Sequence, residues 1–301
     1  ADPATDAVLA GRLQMLQAAR DFASTELLLP DNRSYRAYAD LERDYVLWNV
    51  IAAPEFSLQP KTWCYLFVGC LGYRGYFSAD VATSFAGELE ADGYDVFVGG
   101  VPAYSTLGKF ADPILNTMLT RGDTELVALL FHELAHQRLY IKDDTAFNES
   151  FASAVAEFGV QQWHEQRGSD DVAETWLAYE EKNRAVMALF DDARQQLESL
   201  YQSSLVDSEK RVRKQEILQQ LADDANAIAG ENANWIRGQL NNARLASFAM
   251  YRGYLPAFRR LYTECSESWT CFYAAVDSLA AMSAPARRDA LAALHGRALS
   301  P

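Results

Sequence analysis

The hydrophobic and polar positions of the chain follow two patterns, one before and one after residue 122. Residues 7–28 carry apolar side chains at steps of three and four, the spacing of one helix face, and predict a helix that ends near Pro30. From about Tyr45 to Gly108 the apolar residues instead form short runs rich in β-branched and aromatic side chains. These runs predict strands at "YVLWNVIAA", "TWCYLFVGC" and "YDVFVGG", a helix at "FSADVATSFAGELEADG", and one more strand, at a sheet edge, at "VPAYSTLG".

After Gly122 the pattern becomes helical. A helix with Asp123 or Thr124 as its N-cap is predicted through "ELVALLFHELAHQRLYI", and its nearly all-round apolar surface indicates a buried helix. A second helix is predicted to start at Asn148 and to continue through "ESFASAVAEFGVQQW". Further helices are predicted at "NNARLASFAMYRGY", "CFYAAVDSLAAM" and "ARRDALAALHG".

Between these helices lies a longer apolar seam that predicts a helical hairpin, with "VRKQEILQQLADDANAI" returning against it. The seam consists of Val172, Trp176, Tyr179, Val186, Phe190, Ala193, Leu197 and Leu200. The elements together predict an α+β protein, predominantly helical, with a small mixed β-sheet. We expect residues 1–168 to hold the N-terminal helix, the sheet and the two helices after it, and residues 169–301 to complete one compact unit.

Composition and charge narrow the class of protein. The chain has 301 residues, of which 50% are hydrophobic and 23% charged, so it is globular. Its net charge of -14 repels phosphate backbones and anionic lipid headgroups, which argues against binding to nucleic acid or to a membrane surface. The basic run "EKRVRKQE" alternates with acids and glutamines and is interpreted as a solvated helix face. No apolar run approaches the ~20 residues of a membrane span and no signal sequence is recognised, so a mature or truncated soluble chain is expected.

The four cysteines form two pairs with the same spacing. This arrangement favours two short-loop disulfides, Cys64–Cys70 and Cys265–Cys271, and an oxidising compartment. The alternative is four reduced cysteines, some of them packed in apolar surroundings. The spacing matches no common zinc-binding pattern, so the cysteines are not interpreted as metal ligands.

The predicted buried helix contains His132-Glu133-x-x-His136, the H-E-x-x-H arrangement. Side chains four apart on a helix lie one above the other, so both imidazoles can reach one zinc ion. Glu133 lies about 100° round the helix from His132, where its carboxylate can reach a zinc-bound water as general base. A chance occurrence on a buried helix would leave three polar groups in the core without partners.

A catalytic zinc ion usually has three protein ligands, so a third is needed. The metzincin variant would place Gly and His where this chain has Leu139 and Lys142, and is excluded. The other variant takes a glutamate from the next helix, and "NESFAS" supplies Glu149. The sequence therefore predicts a Zn²⁺ site made by His132, His136 and Glu149, with one ion per chain.

Residues around this site are candidates for supporting roles. Ser153 and Glu157 follow Glu149 by one and two helical turns and can hydrogen-bond a ligand imidazole; the alternative for Glu157 is an exposed side chain. Asp144 is a similar candidate, with an ordinary Asp-rich turn as its alternative. His164 and His295 are assigned to packing or to the surface.

Several stretches together resemble one family over nearly the whole chain: "GCLGYRGYF", "GYDVFVGGVPAYSTLG", "DPIL", "FHELAHQ" and "DTAFNESFA". The sequence is similar to the bacterial Putative aminopeptidase family, a group of zincin-like proteins of gluzincin type. The resemblance implies a zincin-like fold and a zinc metallopeptidase whose ligands match His132, His136 and Glu149, with Glu133 matching the catalytic glutamate. It also implies an exported protein, tethered to the periplasmic side of a Gram-negative envelope by a lipid anchor on an upstream segment. The Gly-x-Met-Glu-Asn amine-binding motif of better-known gluzincin aminopeptidases is not found in this sequence.

A zinc peptidase also needs a group that stabilises the oxyanion and a surface that binds the peptide. Gluzincins commonly use a tyrosine or histidine from a later helix, and Tyr251 is the first candidate here, with Tyr254 second. Tyr104 and Ser105 are predicted to line the substrate cleft, because the predicted edge strand lies immediately before the zinc helix.

Three hypotheses follow from the sequence. The first is a zinc aminopeptidase acting on peptides in the cell envelope. The second is a zinc endopeptidase acting on exported proteins. The third is a non-enzymatic, zinc-stabilised envelope protein that binds a partner through its helical hairpin. The sequence does not determine the oligomeric state.

Overall fold

The computed structural model describes residues 6–65, 69–103, 105–168, 170–229 and 240–295. The helices are α1 (Ala7–Thr25), α2 (Ala79–Ala91), α3 (Asp123–Arg138), α4 (Thr145–Gln166), α5 (Asp170–Gln202), α6 (Asp207–Ala229), α7 (Asn242–Arg252), α8 (Leu255–Glu264), α9 (Trp269–Ala280) and α10 (Ala284–His295). The strands are β1 (Tyr38–Ala39), β2 (Leu47–Pro54), β3 (Trp63–Tyr65), β4 (Gly69–Leu71), β5 (Arg74–Tyr76), β6 (Tyr94–Val101) and β7 (Ile114–Leu115). The predicted α+β class, with a predominance of helix, is confirmed.

The chain forms two compact units that interleave along the sequence. The first unit comprises Ala1–Val46, Val101–Ser169 and Met250–Pro301. The second comprises Leu47–Gly100 and Asp170–Ala249. The expected division into residues 1–168 and 169–301 stays a prediction.

In the second unit a three-stranded sheet in the order β5-β2-β6 packs against α2. β2 and β5 are antiparallel, with Asn49 opposite Gly75. Ser78 caps α2 by accepting a hydrogen bond from the Val81 N–H. The apolar core between sheet and helix consists of Val50, Ala52, Ala82, Ala86, Leu89 and Val96. A small sheet of this kind is stable because one face is covered by a helix.

The second unit also contains the predicted helical hairpin, formed by α5 and α6. Tyr179 was predicted in the apolar seam, but it is 43% exposed and is not part of the buried seam.

The second unit also contains a network of buried polar groups around Lys214 of α6. Lys214 donates to Asp95 at 2.6 Å and to the Glu55 carbonyl at 2.9 Å, so its buried ammonium is paired. Asn242, which is fully buried, donates to the same Glu55 carbonyl at 2.9 Å.

The first unit is built on α3 and α4, which pack against each other, with α1 against α3 and α8 against α4. Both α3 and α4 are buried over most of their length, as their apolar sequences require. The aromatic side chains of Phe147, Phe151, Phe258, Phe272 and Tyr273 contact one another between α4, α8 and α9. This core holds in place the two helices that carry the candidate zinc ligands.

Two strand predictions differ from the structure. "TWCYLFVGC" forms two short antiparallel strands, β3 and β4, in which Cys64 lies opposite Cys70. "VPAYSTLG" is not a strand in its described residues beyond Val101, where β6 ends. Pro102 cannot donate to a ladder, and the chain instead turns into a loop in which the Thr106 N–H donates to Asp112.

Two helix starts also differ from the prediction. The N-cap of α3 is Gly122, not Asp123 or Thr124, and its N–H is bound by the Glu125 carboxylate at 3.2 Å. α4 begins at Thr145, not at Asn148, because Asp144 caps it by accepting from the Phe147 N–H at 3.2 Å.

Both expected disulfides are present in the structure, joining Cys64 to Cys70 and Cys265 to Cys271. Each closes a short local loop, and the described residues include no free cysteine. Among the described helices, none has the length and apolar character needed to cross a bilayer.

Gly159 lies where α4 packs tightly against Leu27 and against Phe131 of α3. A Cβ at Gly159 would lie 2.7 Å from Leu27 Cδ1 and 2.9 Å from Phe131 Cδ2, and both neighbours are fully buried. We expect Gly159→Ala to lower the free energy of unfolding by about 1–3 kcal/mol, because the overpacked side chains must shift. Chemical denaturation measures this change.

The matched control is Gly11→Ala in α1, where a Cβ would meet no atom within 4 Å. That change is expected to raise the free energy of unfolding by roughly 0.5–1 kcal/mol, because alanine favours the helix. Equal stabilities for the two variants would contradict the close packing at Gly159.

Candidate metal centre

His132, His136 and Glu149 converge at the contact between α3 and α4. His132 Nε2 lies 3.1 Å from His136 Nε2 and 3.1 Å from Glu149 Oε2. His136 Nε2 lies 3.5 Å from the same Glu149 oxygen. The two histidines are one helical turn apart on α3, and their rings are nearly perpendicular, with centroids 4.7 Å apart. Three atoms with lone pairs therefore point into one small volume.

The spacing of these atoms fits a tetrahedral zinc ion. Bonds of about 2.0–2.1 Å to nitrogen and oxygen separate two ligand atoms of a tetrahedron by roughly 3.3 Å. The observed separations of 3.1, 3.1 and 3.5 Å lie around that value. Two imidazoles and one carboxylate are also a ligand set that catalytic zinc sites use. The residues present can hold Zn²⁺ and leave one coordination position open.

The electrostatics of the three groups show how closely they are coupled. Burial raises the pKa of Glu149, but its hydrogen bonds with His132 and His136 outweigh that effect and hold this pKa well below its usual range. Burial lowers the pKa of His136, and the Glu149 carboxylate raises it by more. The site therefore keeps Glu149 ionised, which is the form that binds a metal.

Glu133 lies beside these ligands but is not one of the converging three. Its side chain is 9% exposed, and it accepts no hydrogen bond from the described part of the chain. Burial is the largest cause that raises the pKa of Glu133, although the two neighbouring histidines lower it. A buried carboxylate that accepts no hydrogen bond from the described residues, next to a candidate metal site, is suited to accept a proton.

The loop between α3 and α4 places Glu149 against the two histidines. Asn148 closes this loop with two hydrogen bonds: Ile141 N–H donates to Asn148 Oδ1 at 2.8 Å, and Asn148 Nδ2 donates to the Ile141 carbonyl at 2.7 Å. Asp143 has a φ of 65°, in the left-handed region that permits a sharp turn. In this Asn-Glu pair, Asn148 therefore closes the loop and Glu149 supplies the candidate ligand.

Arg287 of α10 fixes the start of α4 from the other side. Its guanidinium donates to Asp144 Oδ2 at 2.8 Å from Nε and to the carbonyls of Ala280 and Met282. Arg287 is 4% exposed, so this pair is shielded from solvent. Asp144, predicted to support a ligand imidazole, instead caps α4 and binds Arg287.

The structure shows no hydrogen bond from the other predicted supporting residues, Ser153 and Glu157, to the imidazoles. Glu157 is bound through both carboxylate oxygens by Arg259, with a shortest distance of 2.6 Å, which leaves it engaged with α8. Ser153 is partly exposed and makes no side-chain hydrogen bond with any described residue. His164 lies away from the metal centre, 3.2 Å from the Thr124 hydroxyl.

The structure describes only some of the residues predicted to stabilise the oxyanion or to line the cleft. Tyr104 lies outside the described residues, as do the side chains of Tyr251 and His295. The backbone N–H of Tyr254 donates to the Ser150 hydroxyl at 3.1 Å, next to the ligand Glu149. Ser105 is partly exposed, and its hydroxyl accepts from the Leu107 N–H at 3.1 Å.

Two buried residues near Glu133 were missed by the sequence interpretation. Tyr35 is 1% exposed and Asp112 is 6% exposed, and their backbones are joined by a hydrogen bond from the Tyr35 N–H to the Asp112 carbonyl. Asp112 is among the groups that raise the pKa of Glu133. No spacing signal links residues 35, 112 and 133, so the sequence alone did not connect them.

The loop closure by Asn148 generates a prediction. Asn148→Ala removes both hydrogen bonds and leaves the Ile141 N–H and carbonyl without their partner. We expect the free energy of unfolding to fall by about 1–3 kcal/mol, measured by chemical denaturation. Asn226→Ala on the exposed surface of α6 is the control and is expected to change stability by less than about 0.5 kcal/mol. A loss no larger than in the control would show that Asn148 does not hold the loop.

Comparison with known proteins matches the chain to one family. A family model described as "Putative aminopeptidase" matches residues 1–291, which include the whole candidate metal centre. Neither the curated proteins nor the solved structures contain a match to the chain. The match covers nearly the full length and not only the short H-E-x-x-H motif. The chain therefore belongs to the Putative aminopeptidase family.

Proposed function

We propose that this chain is a zinc-dependent peptidase, and specifically an aminopeptidase that removes residues from the N-termini of peptides. The family match supports a peptidase. The observation that carries the zinc-dependent mechanism is the convergence of His132, His136 and Glu149 within 4.8 Å of one another, with Glu133 beside them.

Each residue of the site has a defined role in this proposal. His132, His136 and Glu149 hold one Zn²⁺ ion. When bound, the ion supplies Lewis acidity, which lowers the pKa of a water molecule towards about 7 and polarises the scissile carbonyl. Asn148 and Arg287 keep Glu149 in position through the loop and the start of α4.

Glu133 serves as general base and then as general acid. Its carboxylate takes a proton from the attacking water and passes it to the amine of the leaving group. The burial that raises its pKa makes it a stronger base than an exposed glutamate. The absence of a hydrogen bond from any described residue leaves both oxygens available for this transfer.

A hydroxyl from the segment after α6 is proposed to stabilise the oxyanion. Tyr251 and Tyr254 were both predicted for this role. Tyr254 has the better structural support, because its backbone is bonded to Ser150, the residue after Glu149. Burial raises the pKa of Tyr254, which keeps its hydroxyl protonated and able to donate.

The two disulfides support an oxidising compartment for this protein. We therefore propose that it acts on peptides outside the cytoplasm. The periplasmic location and the lipid anchor stay predictions from the family resemblance.

The mechanism predicts different effects for the base and for a ligand. Purified protein is expected to contain about one zinc per chain by elemental analysis. Glu133→Gln is expected to keep that zinc and to lower kcat by about 10²–10⁴-fold, because the general base is lost. His136→Ala is expected to lose zinc and activity together.

Glu88→Gln, an exposed change on α2, is the matched control and is expected to keep zinc and activity. Absence of bound zinc in the parent protein would overturn the metal-dependent mechanism. Full activity in Glu133→Gln would remove Glu133 as the base.

The assignment as an aminopeptidase has its own test. A set of peptides with free N-termini and the same peptides with N-acetyl groups are digested, and the products are identified by mass spectrometry. We expect stepwise loss of N-terminal residues from the free peptides and no cleavage of the acetylated ones. Cleavage of the acetylated peptides would indicate the endopeptidase, and zinc binding without any cleavage would indicate the non-enzymatic protein.

A further inference from the structure

Asp112 is a buried carboxylate at the base of a loop beside the metal centre. It follows the loop of residues 105–111 and precedes β7, which pairs in parallel with β1. At the far side of this loop a Cβ on Gly108 would lie 3.3 Å from Oε1 of Gln137, the residue after the candidate ligand His136. The loop thus packs on the end of α3 that carries the candidate metal site.

The negative charge of Asp112 is not balanced by a cation in the described part of the chain. Its carboxylate accepts one hydrogen bond, from the Thr106 N–H to Oδ2 at 3.0 Å, and it forms no ion pair with a described residue. The buried Arg20 donates instead to the carbonyls of Pro30 and Ser34. A carboxylate that is only 6% exposed is costly without a positive partner.

Tyr35 provides a second, independent observation at the same place. Its hydroxyl is buried beside the Ser105 side chain, and it keeps lone-pair capacity to accept a further hydrogen bond. Burial raises the pKa of Tyr35, and the negative charges of Glu133 and Asp112 raise it further, because both carboxylates lie close to its hydroxyl. The backbone of Tyr35 has a φ of 61°, a strained conformation for a bulky residue that often occurs at functional sites.

A peptide's α-ammonium has the chemistry that this place lacks. It carries one positive charge and three N–H donors, so it can pair with a carboxylate and donate to a hydroxyl oxygen at the same time. An N-acetylated terminus has no positive charge and a single N–H donor, so it cannot replace the ammonium.

We propose that Asp112 and Tyr35 form the subsite that binds the free α-ammonium of the substrate, with Asp112 as the charged acceptor and the Tyr35 hydroxyl as a second acceptor. This inference rests on the proposed function and identifies the residues that select free N-termini. It also accounts for amine binding in a chain without the Gly-x-Met-Glu-Asn motif.

Binding is measured separately from turnover. Zinc-loaded Glu133→Gln protein is titrated by calorimetry with one tetrapeptide in two forms, with a free and with an acetylated N-terminus. Asp112→Asn is then added to this background. Asparagine keeps an oxygen for the Thr106 N–H and removes only the charge. We expect Asp112→Asn to weaken binding of the free peptide by roughly 10- to 100-fold and to leave the acetylated peptide unchanged.

Asp92→Asn, at the exposed end of α2, is the matched control for the loss of one negative charge and is expected to change neither affinity. Tyr35→Phe is the second variant. It is expected to weaken binding of the free peptide by about 3- to 10-fold, because one neutral hydrogen bond is lost. Thermal unfolding and zinc content are recorded for every variant, so that a general loss of structure is recognised.

The outcomes separate this inference from the proposed function. Equal losses for both peptides, no loss for either, or no binding of the free peptide to the Glu133→Gln parent would overturn the ammonium subsite. If the subsite is confirmed but the protein with Glu133 intact cleaves no peptide, the proposed function fails and the subsite stands. If peptides are cleaved and Asp112→Asn does not change the preference for free N-termini, the subsite fails and the proposed function stands.

Discussion

The candidate metal centre depends on a chain reversal between α3 and α4 that takes only the six residues from Leu139 to Asp144. Glu149 can reach His132 and His136 only if α4 returns directly beside α3. Asn148 makes this possible by bonding both backbone groups of Ile141, and Asp144 caps the new helix while it binds the buried Arg287. The ligand geometry is therefore a consequence of how the backbone polar groups of one loop are satisfied.

A second constraint is electrostatic. The first unit buries Glu133, Glu149 and Asp112 close together, although burial of carboxylates is unfavourable unless positive charge or hydrogen bonds compensate it. In the proposed function, a divalent ion at the candidate metal centre and the ammonium of a substrate would each offset part of this negative charge. In the second unit, by contrast, the negative charge of Asp95 is compensated within the chain, because Lys214 donates to its carboxylate.

Much of the fold followed from local patterns in the sequence. The helices were recognisable because their apolar residues repeat at the helical period, and the two disulfides because their cysteines lie close in sequence. The predictions were wrong where hydrogen bonds of polar side chains, and not the apolar pattern, determine where an element begins or ends. Asp144 starts α4 one turn before the predicted Asn148, and the chain after Val101 forms a loop in which Asp112 binds Thr106.

The sequence alone identified the residues of the candidate site, because His132, Glu133, His136 and Glu149 lie within two adjacent helices whose spacing is local. The tertiary structure decided which residues surround it. Asp112 and Tyr35 come from distant parts of the chain and meet through the β1–β7 pairing, and Glu157 is taken up by Arg259. Such contacts depend on long-range packing, which no local period or spacing encodes, so only the folded chain reveals them.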